Sequence, residues 1–164
     1  MDTPGERADV LVSFDMVFEP STVVASLAAT TKSEALTELV AAIGAAKGLD
    51  EDAVSKIHGR LMKRERMGTT ALGRGCAVPH IKWEGTSSFV GAIGYSADGI
   101  DFESLDGSPT KVVFVVVGPS DRPAEYLNLM TRLARAVQKD DFMPFVASCR
   151  TPKDFIDLLI EMDA

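Results

Sequence analysis

Only two histidines occur in the 164-residue chain, His58 and His80, and their settings differ. His80 directly follows Pro79 and ends the segment Gly68-Thr69-Thr70-Ala71-Leu72-Gly73-Arg74-Gly75-Cys76-Ala77-Val78-Pro79-His80. A side chain in such a setting stands clear of regular backbone and can be approached by a ligand. A neutral imidazole nitrogen is a good nucleophile toward phosphorus near pH 7, and the phosphohistidine it forms passes the group onward readily. Phosphoryl transfer asks for little more than in-line approach and donors for the equatorial oxygens. Thr69 and Thr70 supply hydroxyls, Gly68, Gly73 and Gly75 allow close approach of backbone N–H groups, and Arg64 supplies a fork of donors just upstream. Taken as residue types alone, the same segment reads equally as a turn-rich connector.

The other candidates are weaker. His58 lies four residues after Val54 and three before Leu61, at the flank of an apolar helical stripe, and reads as a structural imidazole. Cys76 and His80 are four apart, but the proline between them breaks the single helical face that a metal-binding pair needs, and no metal site is expected. The thiol of Cys76 offers a redox-sensitive group within the glycine-rich stretch. Gly73-Arg74-Gly75 is not followed by Gly-Lys-Ser/Thr, so there is no nucleotide P-loop and a kinase using ATP is not indicated.

These residues have to be held by a fold, and the chain has the material for one. It is 46% hydrophobic and 25% charged, an ordinary balance for a single globular domain. Asp and Glu total 24 against 17 Lys and Arg, a net charge of −7, which gains nothing from counterion release on nucleic acid. There is no apolar run of membrane-spanning length, no leader-like start, and only two cysteines, Cys76 and Cys149, without a paired motif; a cytoplasmic protein with free thiols, not inserted in a membrane, is expected.

Residues 1–9 are polar, with a Pro-Gly pair, and read as a flexible N-terminus to a domain spanning 10–164. Val10 to Phe18 has no clear period. Thr22 to Leu27 is β-branched and reads as a short strand. Leu36, Leu39, Val40 and Ile43 follow the helical spacing, with N-cap candidates at Thr30 to Lys32 and a closing Gly48. A second helix starts at Asp50 to Asp52, buries Val54, Ile57, Leu61 and Met62, carries Arg64, and stops at Gly68. Three glycines and a proline within the fifteen residues 68–82 preclude a helix and favour short extended pieces. Ser88 to Tyr95 reads as a strand, Asp98-Gly99 as a turn, and Ile100 to Leu105 alternates as a half-buried strand does.

Lys111 to Val117 is a continuous apolar run, the pattern of a central strand covered on both faces. Pro123 opens a helix with Tyr126, Met130, Leu133 and Val137 inward; Asp140 to Cys149 is a short helix at Pro144. Thr151-Pro152-Lys153-Asp154 caps a last helix that buries Phe155, Leu158, Leu159 and Met162. The class is α/β: one domain, a mixed sheet with helices on both faces.

Arg64-Glu65, two further residues, Gly68-Thr69-Thr70, a glycine-rich stretch and Val78-Pro79-His80 resemble the motif of the type 2 IIA domains of the bacterial phosphoenolpyruvate-dependent phosphotransferase system. That family includes the fructose- and mannitol-specific IIA domains and the nitrogen-regulatory IIA protein. The resemblance extends to the helix after Thr30-Thr31-Lys32-Ser33-Glu34-Ala35-Leu36, the strand at 111–117 and the helix that follows. It implies a mannitol IIA-like fold and a phosphocarrier role. His80 would accept a phosphoryl group from an HPr-like protein, Arg64 would help to hold it, and Gly68, Thr69 and Thr70 would bind beside it. The group would then pass to a IIB component or stay as a regulatory signal, with no cofactor. Family members usually carry a second histidine in a Glu-His-Leu stretch, where this chain reads Glu125-Tyr126-Leu127. Tyr126 either hydrogen-bonds to the phosphoryl group or imidazole, or simply packs; being neutral, it cannot replace a cationic histidine. A non-catalytic docking module is therefore the alternative reading. The chain holds no IIB or IIC part, which favours regulation over sugar transport.

Overall fold

A computed structural model describes residues 11–163; the expected flexible segment 1–9 lies outside them. Within the described residues six strands, β1 (Val23–Val24), β2 (Ala71–Gly73), β3 (Cys76–Ala77), β4 (His80–Trp83), β5 (Val90–Ile100) and β6 (Thr110–Pro119), form one mixed sheet. Its order is β1-β5-β6-β3-β2, with β4 also paired to β6. β5 and β6 are antiparallel, whereas β3 and β4 run parallel to β6, one beyond the other.

The central position of β6 follows from its composition. Successive side chains of a strand face opposite ways, so Val112, Phe114 and Val116 enter one core while Val113, Val115 and Val117 enter the other. The second core is closed by α2 (Lys32–Lys47) and α3 (Glu51–Arg66), through Leu36, Leu39, Ile43, Ile57 and Leu61. The first is closed by α1 (Phe14–Val17), α4 (Pro123–Val137), α5 (Phe142–Val146) and α6 (Pro152–Met162). Helices cover both faces, as the sequence pattern requires.

Local signals fix the helix ends. Thr31 and Asp50 accept the N–H groups of Glu34 and Ala53, and Gly48 closes α2 at φ 66°, a left-handed conformation that glycine enters without strain. Thr151 and Asp154 make a reciprocal capping box with Pro152 at the start of α6. Pro144 sits in the first turn of α5, where its missing N–H would have no partner anyway.

Four expectations need correction. The strand expected over Thr22 to Leu27 is two residues long, because Pro20–Thr22 is a 3₁₀ turn in which the Thr22 hydroxyl accepts the Glu19 N–H at 3.2 Å. The unassigned stretch from Val10 holds the one-turn helix α1, whose Phe14 and Val17 are buried. Asp98-Gly99 is not a turn between two strands; β5 continues to Ile100 across a register shift, with Gly99 at φ 82°. The half-buried strand expected over Ile100 to Leu105 does not form: after Ile100 the chain leaves the sheet, sends Phe102 into the core and turns around Asp106. The Asp106 carboxylate accepts from the hydroxyls of Ser104 and Ser108 and from the Ser108 and Arg74 N–H groups, which hold it well below the usual carboxylate range.

Candidate functional site

His80 opens β4, opposite Val116 of β6. Its neighbour Pro79 has no N–H to give, and a residue before proline is held extended. The strand beside β6 is therefore interrupted between β3 and β4. Across that interruption the Pro79 carbonyl accepts from Val116 N–H at 3.0 Å, and the Val78 N–H donates to the Thr70 carbonyl at 3.1 Å. The Val78 carbonyl is left to the His80 ring, whose Nδ1 lies 2.6 Å from it. A carbonyl only accepts, so Nδ1 carries the proton and Nε2 carries the lone pair. Nε2 makes no hydrogen bond among the described residues. Burial pushes the imidazole below its ordinary pKa of 6.5, opposed by the bond to Val78; the Arg64 charge lowers it further and that of Glu65 raises it. The ring is neutral at pH 7, the nucleophilic state.

His80 lines a cleft of about 340 Å³ with Arg64, Thr69, Thr70, Leu72 and Val78 on one side and Met130, Thr131 and Ala134 of α4 on the other. Met130 packs partly buried against the core, as expected, and also forms part of this wall, beside the fully buried Leu129. Arg64 comes from the last turn of α3; its Nη1 donates to the Gly68 carbonyl at 2.9 Å, and it has no carboxylate partner among the described residues. One bond orients the guanidinium while the remaining N–H groups stay available for an anion.

The structure brings Arg64, Thr69, Thr70 and His80 to one cleft, but it changes the work of the threonines. The Thr69 hydroxyl donates to the Phe102 carbonyl and accepts Ala71 N–H at 3.1 Å. The Thr70 hydroxyl donates to the Glu65 carboxylate. Neither is a free donor to a phosphoryl oxygen, because each is spent on fixing the turn. Gly68 N–H bonds to the Glu65 carbonyl and Thr70 N–H to the Glu65 carboxylate, at 3.1 and 3.3 Å. Thr69 N–H has no acceptor among the described residues.

Glu65, named in the motif but given no role from the sequence, is also part of the site. Its side chain is 2% exposed and pairs with Lys32 at 3.1 Å. The signal was present: Ile57, Leu61 and Glu65 are spaced i, i+4, i+8, so the carboxylate falls on the buried face of α3. Lys82 was likewise given no role from the sequence. It lies two residues after His80, hence on the same face of β4, and its Nζ stands 5.3 Å from the centre of the Tyr126 ring.

Tyr126 is buried, with its ring centre 6.2 Å from that of His80 and 6.4 Å from that of Phe89. The missing side chain of Gly118 makes room for it: a Cβ there would lie 2.4 Å from Tyr126 Cδ2. Its hydroxyl makes no hydrogen bond among the described residues, and burial raises its pKa, so the phenol is neutral. The Tyr126 ring packs between His80 and Phe89.

The remaining candidates lie elsewhere. His58 Nε2 is 3.0 Å from the Thr37 hydroxyl, between α2 and α3. Cys76 is buried against Met143 and the Val137 carbonyl, and burial pushes its thiol up to about 12, so it is not the redox-sensitive group its place in the sequence suggested. Among the described residues no group of three His, Cys, Asp or Glu side chains is placed to hold a metal, and no helix is long and apolar enough to cross a membrane.

Comparison with known proteins places the fold and the family. A nitrogen regulatory protein of Bradyrhizobium diazoefficiens is 32% identical over 140 residues, covering 85% of this chain and 90% of the relative. The crystal structure of the nitrogen regulatory protein IIA-Ntr from Neisseria meningitidis superposes with a TM-score of 0.79 at 22% identity, over 87% of this chain and 96% of that one. Enzyme IIA-mannitol from Escherichia coli, solved in complex with phosphorylated enzyme IIB-mannitol, gives a TM-score of 0.69 at 18% identity, over 88% and 97%. The family model described as phosphoenolpyruvate-dependent sugar phosphotransferase system, EIIA 2, matches residues 16–162. The chain belongs to the type 2 EIIA family of the phosphoenolpyruvate-dependent sugar phosphotransferase system.

Proposed function

We propose that the protein is a phosphohistidine carrier in which Nε2 of His80 accepts a phosphoryl group from an HPr-like donor. The observation that carries this reading is the bond from Nδ1 to the Val78 carbonyl, which leaves the lone pair on Nε2 in a cleft that also holds Arg64. In the transfer, the N–P bond of the donor phosphohistidine breaks as the Nε2–P bond forms, and the electron pair returns to the donor imidazole. The proton stays on Nδ1 throughout, hydrogen-bonded to the Val78 carbonyl, so no base is needed. The free N–H groups of Arg64 and the Thr69 amide receive the equatorial oxygens. Gly68 and Thr70 act by shaping that turn, and Tyr126 by packing against the imidazole.

The phosphoryl group then passes to a IIB-type acceptor or serves as a regulatory mark. The name of the 32%-identical relative supports the regulatory use, and the solved complex of a fold neighbour with phosphorylated IIB supports a IIB-type contact. Incubation with phosphoenolpyruvate, enzyme I and HPr, followed by intact mass measurement, tests the reading. The wild type gains one phosphoryl group and His80→Ala gains none. A wild type that stays unmodified with the HPr of its own organism contradicts it, and leaves a docking module with a neutral tyrosine beside an inactive histidine.

A further inference from the structure

Among the described residues eight lysines and arginines pair with carboxylates. Around the site Lys32 pairs with Glu65, Arg60 with Glu84, Arg74 with Asp140 and Arg122 with Glu125. Two cations nearest His80 do not: Arg64 and Lys82 have no carboxylate partner among the described residues. An incoming phosphoryl group carries close to two negative charges at pH 7. With both threonine hydroxyls engaged and the phenol neutral, one guanidinium and one amide leave part of that charge uncompensated.

Lys82 is placed to complete the match. His80 and Lys82 share a face of β4, about 6.6 Å apart along the strand, within reach of a lysine stem. The ammonium rests over the Tyr126 ring at 5.3 Å, and the same ring lies 6.2 Å from the imidazole. The ring's negative face holds the cation beside the cleft without neutralising it. Lys82 is itself exposed, so moving it onto a phosphoryl oxygen breaks no core contact.

We propose that Lys82, seated on the face of the Tyr126 ring, is the second cation of the phosphoryl site and contacts a phosphoryl oxygen on His80 Nε2 during transfer. This rests on His80 being the phosphoacceptor. It also assigns the tyrosine a job that depends on its ring and not on its hydroxyl.

The test is the rate of phosphorylation followed by intact mass, with two donors: phosphoramidate, which has no protein surface, and phosphorylated HPr. Loss of a charge-assisted contact in Lys82→Ala slows both by about tenfold or more. Lys82→Arg restores most of the rate, and Tyr126→Phe, which keeps the ring, stays within about threefold of wild type. Melting temperatures of the Lys82 variants match wild type, since the side chain is exposed. A Lys82→Ala rate within about twofold of wild type with phosphoramidate overturns the proposal. Slowing confined to phosphorylated HPr also overturns it, by placing the lysine at the partner surface. A wild type that takes no phosphoryl group from either donor refutes the phosphoacceptor reading instead.

Discussion

Replacing Glu65 by Gln tests whether the turn at Gly68–Thr70 is built by this one carboxylate. The substitution keeps volume and one carbonyl oxygen, but removes the charge that Lys32 meets at 3.1 Å and that the Thr70 hydroxyl donates to. Each of these charge-assisted bonds contributes roughly 1.5–3 kcal/mol, against ~1 kcal/mol for the neutral bond a glutamine oxygen can still accept. Lys32 has a fallback, because Glu103 lies 3.8 Å away at the surface and the Phe102 ring is 5.4 Å below the ammonium. The loss should therefore fall below the ~3–5 kcal/mol of a fully buried broken pair, and we expect about 2–3 kcal/mol. Urea unfolding of Glu65→Gln, Lys32→Met and the double variant measures it. The single variants should couple by about 1–3 kcal/mol in the cycle. In the same variants phosphorylation of His80 should slow, because the Thr69 amide and Arg64 are placed by the turn. A Glu65→Gln cost under ~0.5 kcal/mol, or strictly additive singles, would show that the turn stands without the carboxylate.

Arg64→Ala removes the guanidinium from the cleft wall and should lower the phosphorylation rate by about 10–100-fold while leaving the melting temperature nearly unchanged. Gly118→Ala puts a Cβ 2.4 Å from Tyr126 and 2.9 Å from Phe89; the overpacking should cost about 1–3 kcal/mol by thermal unfolding and disturb the His80 site through the displaced ring. Because the folded imidazole of His80 is held below its unfolded value of 6.5, its contribution to stability is complete above pH 6.5 and is lost as pH falls from there toward the folded value. Comparison of wild type with His80→Ala across that range should show the wild type losing more, and an opposite sign would contradict the burial assigned to the ring. Native protein treated with a thiol reagent at pH 8 should react at Cys149 and spare Cys76, whose thiol is pushed to about 12.

Much of this was legible before any coordinates. The apolar run at 111–117 specified a covered central strand, and Gly48, Asp50 and the Thr151 box specified helix ends, because each is a local rule with a local cause. The glycine spacing and the Pro79-His80 pair marked the cleft. What failed was long-range. Thr22 is β-branched, yet a bond to Glu19 three residues back claims it for a turn. The Gly99 turn signal was real at the backbone, where φ is positive, but the sheet absorbed it as a bulge. The threonines were read as phosphate donors from their type, whereas Phe102 and Glu65, from other parts of the chain, had already taken their hydroxyls. Lys82 and Tyr126 meet only because β4 and α4 pack together, and no spacing between positions 82 and 126 could announce it.

The most direct test of the account is the nitrogen spectrum of the phosphorylated protein, read by NMR on ¹⁵N-histidine-labelled chain. The geometry predicts that the phosphoryl group is attached to Nε2 of His80, with the proton retained on Nδ1 against the Val78 carbonyl. Phosphorus on Nδ1, or on His58, would contradict it.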